Sequence, residues 1–248
     1  MAAEPGRVAV VVGGSGGIGS EICRRLAADG HRVVVGYASG RERADALAVE
    51  MGEGHSALRI DATDAAALDE ARQVIEEDFG QVDVLVNCAG VTRPVAHDDL
   101  DSLDDELIDQ IFAVNWRGPF AAIRSLRPLL EQAEDPVVVN ISSVAATTGL
   151  GSNVAYCASK AAVDSLTRSL GRALAPSIRV VSVSPGWVEG EYAASMPPGF
   201  VDGQRDATPL RRLASPANVA AAVSAVVNDL TCTTGAIIPV DGGRPLGI

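Results

Sequence analysis

The sequence predicts an α/β fold: a doubly wound parallel sheet with helices on both faces, in one domain. Three observations carry this prediction. Short β-branched runs alternate with helix-period stretches from one end of the chain to the other, the order that builds a parallel sheet covered on both faces. The first of these runs opens into a glycine-rich turn that leads straight into a helix. The length, 248 residues, suits one large domain, and no internal repeat, linker or low-complexity stretch marks a second.

Residues 7–12 form the first strand pattern and run into Gly13-Gly14-Ser15-Gly16-Gly17-Ile18-Gly19. A helix over 20–29 follows, stopped by Gly30, and 33–35 is the second strand. In this setting the glycines read as the dinucleotide turn of a Rossmann-like unit. They let the backbone approach a pyrophosphate, and the helix start offers free N–H groups and the positive end of its dipole. Two registers fit, Gly14-x-Gly16-x-x-Gly19 and Gly13-x-x-x-Gly17-x-Gly19. The competing reading is a turn that only packs strand on helix. Beyond the second strand, where an NAD site places a carboxylate on the ribose 2′-hydroxyl, stand Ser39 and Arg41, with no acid before Glu42. That pattern favours NADP(H) over NAD(H), with Ser39 and Arg41 meeting a 2′-phosphate. Arg41 and Arg43 also fit the solvated start of the next helix.

That helix spans 41–51, and a strand over 57–60 ends in Asp61-Ala62-Thr63-Asp64. Asp61 is placed either to accept a hydrogen bond from an adenine or to shape a turn, and Asp64 caps a helix over 65–79. The strand 82–86 closes with Asn87-Cys88-Ala89-Gly90, small enough for the backbone to lie against a ribose. Residues 98–105 are acidic, a solvated loop and helix start. The helix predicted over 104–131 contains Asn115, a poor helix former in an apolar setting. It is either exposed, or it serves a local distortion and holds a water.

Residues 137–139 are a buried strand closed by Asn140-Ile141-Ser142-Ser143. A glycine-dotted loop leads to a helix that carries Tyr156 and Lys160 and ends near 175. Four residues apart, the two share a helix face. An ammonium beside a phenol lowers its pKa from about 10 and fits it to exchange a proton with an oxygen at a reacting carbon. Ser143 would hold the same oxygen. A lone pair of this spacing is otherwise a common solvated one. The strand 179–183 ends in Ser184-Pro185-Gly186-Trp187-Val188. From 189 to about 212, with Tyr192, Met196, Pro197, Pro198 and Phe200, periodicity is lost, and the stretch reads as a lid over a substrate. A helix over 216–228 and a strand over 236–240 complete the chain. The glycine turn, Asp61, Asn87 to Gly90, Ser143 and Pro185 to Val188 all follow strand C-termini, where such sheets bind ligands.

A net charge of −12 argues against nucleic-acid backbones and anionic membrane surfaces as partners. No apolar run approaches the ~20 residues of a bilayer span, and the N-terminus lacks a basic segment ahead of its apolar run. Four scattered cysteines without a CxxC pair suit a reducing cytoplasm, and three scattered histidines offer no metal spacing.

Taken in order, Gly13-x-x-x-Gly17-x-Gly19, Asn87-Cys88-Ala89-Gly90, Asn115, Ser143, Tyr156-x-x-x-Lys160, Pro185-Gly186, Thr234-Gly235 and Val240-Asp241-Gly242-Gly243 resemble the short-chain dehydrogenases/reductases. Within them the chain is most similar to the branch of the 3-oxoacyl-carrier-protein reductases, over essentially its whole length. The resemblance implies hydride transfer between a nicotinamide and a ketone/secondary alcohol pair. It implies that Tyr156 is the acid/base, that Lys160 lowers its pKa and binds the nicotinamide ribose, that Ser143 orients the substrate oxygen, and that Asn115 holds a water in a relay with Lys160. It places Gly13, Ser15, Gly17, Ile18 and Gly19 at the pyrophosphate and Asp61 and Ala62 at the adenine. Asn87, Ala89 and Gly90 lie along the adenosine side, and Pro185, Gly186 and Val188 by the nicotinamide. It implies a homotetramer or homodimer built through the two long helices and the last strand. Two departures bear on specificity. Gly16 stands where NADP-preferring members often carry a cation. Glu134-Asp135 and Pro176-Ser177 stand where carrier-protein reductases are basic, which predicts repulsion of an acidic carrier. The substrate expectation is therefore a 3-oxoacyl thioester or a small-molecule ketone. The alternatives are an NAD-dependent secondary alcohol dehydrogenase and a non-catalytic nucleotide sensor, which would be expected to have lost the Tyr, Lys or Ser.

Overall fold

Alternation within each strand decides the architecture. In a computed structural model describing residues 6–197 and 199–246, β1 (Val8–Val12) sends Ala9 and Val11 to one face of the sheet and Val10 and Val12 to the other. Both sets are buried, because helices cover both faces. On the first face lie α1 (Gly17–Ala28) and α2 (Arg41–Met51), which flank β2 (Arg32–Tyr37). On the second lies α3 (Ala65–Phe79), which follows β3 (Ser56–Arg59). Asp64 caps α3 by accepting from the N–H groups of Ala66 and Ala67, as its position after a strand predicts.

β4 (Val84–Asn87) returns to the other side of β1. The helix expected over 104–131 is three pieces: α4 (Asp105–Phe112), a π-helical turn (Ala113–Arg117) and α5 (Gly118–Leu130). β5 (Val137–Ile141) is followed by a single short turn, α6 (Ala145–Thr148), where the sequence predicts only loop, and then by α7 (Val154–Ala173). β6 (Arg179–Pro185) leads into the 189–212 stretch. This is not structureless: α8 (Glu191–Ala194) and α9 (Phe200–Asp206) lie within it, and Pro198 is outside the described residues. α10 (Pro216–Asn228) and β7 (Ile237–Val240) close the fold.

The sheet is parallel throughout and runs β3-β2-β1-β4-β5-β6-β7. Strand order reverses between β1 and β4, and the register aligns Val12 with Asn87 and Asn87 with Asn140. The C-terminal ends therefore open on one edge, and a crevice forms where the chain departs in opposite directions. Buried polar side chains run across the sheet beneath that edge. Asn87 Nδ2 donates to Asn140 Oδ1 (2.8 Å), Asn140 Nδ2 donates to Thr167 Oγ1 (2.9 Å), and the Thr167 and Ser182 hydroxyls pair at 2.7 Å.

Candidate active site

The glycine turn is built by contact, not only by flexibility. Gly13 has φ +79°, and a Cβ there would lie 2.7 Å from the Ala89 nitrogen; at Gly19 it would lie 2.2 Å from the Gly13 carbonyl oxygen. These two glycines pack β1, β4 and α1 together. Gly17 faces open space, with nothing within 4 Å of where a Cβ would stand. α1 starts at Gly17, earlier than the sequence predicts, and no side chain caps it. Its first N–H groups, at Gly17 and Ile18 just after Ser15, receive no side-chain cap, an arrangement that suits an anion. Asn87 adds an acceptor: it is buried, and its Oδ1 has no hydrogen-bond partner among the described residues. An open glycine cradle, uncapped donors and an orphaned acceptor fit a dinucleotide.

Farther along the same edge, Ser39 and Arg41 follow β2. Both are exposed, and Arg41 Nε lies 3.4 Å from Asp45 Oδ2. The Arg43 guanidinium reaches back over Gly40, 3.0 Å from where a Cβ would be. After β3, Asp61 Oδ1 accepts from the Thr63 N–H (3.0 Å) and hydroxyl (2.7 Å), which shapes a turn with one carboxylate oxygen and leaves Oδ2 beside Arg59 at 3.7 Å. Ala62 packs toward the start of α5, against Gly118.

Gly90, after β4, brings the chain to Asn115 and Lys160: a Cβ there would sit 3.5 Å from Asn115 Oδ1 and 3.8 Å from Lys160 Nζ. Asn115 is buried in the π turn, which settles its two alternatives in favour of the distortion. Its side chain is fully engaged. Oδ1 accepts from the Val91 N–H (2.8 Å), and Nδ2 donates to the Val91 carbonyl (3.0 Å) and Ser159 Oγ (3.1 Å). A water held here would need the Asn115 backbone carbonyl instead. The α-helical partner of that carbonyl would be residue 119, and Pro119 has no N–H.

Ser143 ends β5, and α7 supplies Tyr156 and Lys160. Asn153 caps α7 by accepting from the Tyr156 N–H (2.7 Å), and its Nδ2 donates to the Arg93 carbonyl (2.8 Å). The cap fixes the turn that carries the phenol. Asn153 is missed by the sequence reading, although an Asn just before a helical pattern is a capping signal. Lys160 is 6% exposed and donates to the Ile141 carbonyl at 2.8 Å. Its Nζ lies 5.8 Å from the centre of the Tyr156 ring. It is also the only lysine in the sequence.

Burial lowers the Lys160 pKa to about 8, against the raising influence of Cys88 and Asp164. Burial raises the Tyr156 pKa, and the hydrogen bond from Ser143 opposes that shift without overcoming it. Cys88 is pushed up to about 12 by burial and stays a neutral thiol.

After β6, Gly186 donates its N–H to the Val240 carbonyl (3.0 Å), and Val144 donates to the Pro185 carbonyl (2.9 Å). Val188 bridges to Ala214, which ties the start of the 189–212 stretch to its end. Trp187 stacks on Tyr192 (centroids 5.9 Å apart, 14° between planes) and meets Phe200 edge-on at 5.0 Å. Glu134 and Asp135 do not stand at the site entrance. They precede β5, about 17 Å of strand from Ser143, and Asp135 pairs with Arg179 Nε at 3.1 Å. Within one chain the two acids thus lie at the opposite edge of the sheet from Ser143.

A family model described as enoyl-(acyl carrier protein) reductase matches residues 13–244. A protein named for ketoacyl reduction in the granaticin polyketide synthase of Streptomyces violaceoruber is 35% identical over 244 residues, covering 96% of each chain. The 3-oxoacyl-acyl-carrier-protein reductase MabA of Mycobacterium tuberculosis is 32% identical over 244 residues, covering 97% of this chain and 94% of that one. Among solved structures, a 3-ketoacyl-(acyl-carrier-protein) reductase of Brucella melitensis, complexed with NADH, superimposes with a TM-score of 0.88 at 31% identity, covering 98% of this chain and 99% of that one. Fold and likeness together define an NAD(P)-dependent oxidoreductase acting on CH–OH groups. The chain belongs to the short-chain dehydrogenase/reductase family, in the branch of the 3-oxoacyl-acyl-carrier-protein reductases.

Proposed function

We propose that the protein transfers a hydride reversibly between NADP(H) and a ketone/secondary alcohol pair, with a 3-oxoacyl thioester or a related small-molecule ketone as substrate. One observation carries this reading: Ser143, Tyr156 and Lys160 converge at the end of β5, two strands from the glycine turn. Gly13, Ser15, Gly17, Ile18 and Gly19 hold the pyrophosphate. Asp61 and Ala62 meet the adenine, Asn87, Ala89 and Gly90 the adenosine side, and Pro185, Gly186 and Val188 the nicotinamide end. The bound nicotinamide supplies or accepts the hydride. Tyr156 gives its proton to the carbonyl oxygen in reduction and takes it back in oxidation. Ser143 holds that oxygen by a hydrogen bond. Lys160 binds the ribose and keeps a positive charge beside the phenol. Asn115 contributes its backbone carbonyl to hold a water that relays the proton. The 189–212 stretch closes over the substrate as a lid, with Trp187, Tyr192 and Phe200 as its apolar lining.

Replacing Tyr156 by Phe should cut turnover by about 10²–10⁴-fold while leaving cofactor affinity within about twofold. Retained turnover in Tyr156→Phe would overturn the assignment.

The preference for NADP rests on Ser39, Arg41 and Arg43 after β2, with no carboxylate before Glu42. A second reading, an NAD-dependent secondary alcohol dehydrogenase, is favoured by the absence of a cation at Gly16 and by the NADH complex of the Brucella relative. The ratio of kcat/KM with NADPH and NADH decides between them, and the expected result favours NADPH.

We further assign a homotetrameric or homodimeric assembly. Its support is an apolar groove lined by Phe112, Trp116, Phe120, Leu166 and Leu170, where Trp116 and Phe120 stack at 6.2 Å. Cytoplasmic residence is supported by the four free thiols.

A further inference from the structure

Asp164 lies one helical turn beyond Lys160 on α7, and the two point from the same face. It is 3% exposed. A carboxylate almost never sits so deep without a partner, yet its Oδ1 has none among the described residues. The other side of the site explains why a negative charge belongs here. Lys160 is equally buried, and the acceptor found for its amine is the Ile141 carbonyl, a neutral group. A buried ammonium with only a neutral acceptor is unstable toward loss of its proton. On an α-helix, Cβ atoms at this spacing are about 5–6 Å apart, within the range where opposite charges sustain each other.

We propose that Asp164 is the counter-ion of Lys160, a positioning residue that keeps the ammonium charged and held against β5. The inference rests on Lys160 belonging to the active site, as assigned above.

The surroundings leave this pairing in place. Just after β5, the Ser142 hydroxyl donates to the Lys160 carbonyl at 3.4 Å and is the polar group from that side nearest the pair. From the end of β4 comes Cys88, a neutral thiol. On α7 itself, Tyr156 precedes the pair, and Arg168, one turn beyond it, is exposed. α6 carries no charge, and the charged side chains of α4 and the π turn, Asp105, Glu106, Asp109 and Arg117, are exposed. β6 presents Arg179, which is bound to Asp135 at the far end of the strand. Lys160 and Asp164 are thus the two buried formal charges at this point of the molecule. Burial raises the Asp164 pKa, as it lowers that of Lys160, and each charge opposes the effect of burial on the other.

A single lysine makes the test direct. Protein grown with lysine carrying ¹³C at Cε gives one lysine resonance, and its titration reads the Lys160 amine without any need for turnover. In Asp164→Asn, which keeps the shape of the side chain, the midpoint should fall by about one pH unit. The unsubstituted protein gives a second reading. The same resonance should shift again in the acid range, as Asp164 takes up its proton. An Asp164→Asn midpoint equal to that of the parent, or a parent resonance unmoved in acid, would overturn the pairing. Because neither reading depends on catalysis, it stands or falls separately from the Tyr156→Phe test.

Discussion

Lys160 shows what the site costs the fold. Its amine is charged at neutral pH inside a buried pocket that lowers its pKa to about 8. Below that pH the folded chain carries a desolvated charge that the unfolded chain leaves in water. Between about 8 and the ordinary lysine value near 10.4, the unfolded state binds more protons than the folded one, so this group's contribution to stability rises with pH. Lys160→Met should therefore abolish turnover; combined with Asp164→Asn, which leaves no buried carboxylate unpaired, it should unfold at a higher urea concentration than Asp164→Asn alone at pH 7, by up to about 2–3 kcal/mol less the lost bond to the Ile141 carbonyl. That advantage should shrink as the pH passes 8. Urea titrations at pH 7 and at pH 9.5 would show it, and a variant equally destabilised at both would contradict it. Asp164 was not legible in the sequence. Between Val163 and Ser165 it reads as one more polar position on a helix, and its burial comes only from how α7 packs in the fold.

At the scale of the element, the chain from Asp105 to Leu130 holds the most information that composition does not reveal. One added residue turns an α-helix into a π turn without changing its apolar character, so the sequence predicts one long helix there. The signals that were present are Asn115 and, four residues on, Pro119. Pro119 withholds the N–H that an α-helix would give to the Asn115 carbonyl. Pro119→Ala restores that donor and should make it compete with a water for the carbonyl. The expected result is a fall in kcat of about fivefold, the equivalent of one hydrogen bond of about 1 kcal/mol, with cofactor affinity unchanged. Steady-state kinetics together with cofactor titration would check this, and an unaltered kcat would count against the water. By contrast, the cap at Asp64 was legible, because its signal is local: an Asp after a strand and before an alanine-rich helix start.

For the whole molecule, the sheet was legible because its inner strands β1, β2 and β5 are buried on both faces and carry runs of consecutive valines. Glu134 and Asp135 are close in sequence to the strand that carries Ser143, yet a parallel strand carries its two ends to opposite edges. The same geometry leaves Trp116 and Phe120 on the outer side of the helices, each 36% exposed, stacked beside the groove formed with α7. Trp116→Glu places a charge in that groove and should shift the protein to a smaller species in sedimentation, with its circular dichroism preserved. An unchanged sedimentation coefficient would mean that this face does not assemble.

The π turn has a consequence beyond the active site. An α-helix advances about 100° per residue, so removing any one of residues 113–117 would give a tidier helix with everything downstream out of phase. Ala122, Ile123, Leu126 and Leu130, now wholly or almost wholly covered, would swing a quarter-turn away from the sheet. The irregularity is thus locked by the packing of α5, and drift cannot smooth it away one deletion at a time without unseating a face of the core.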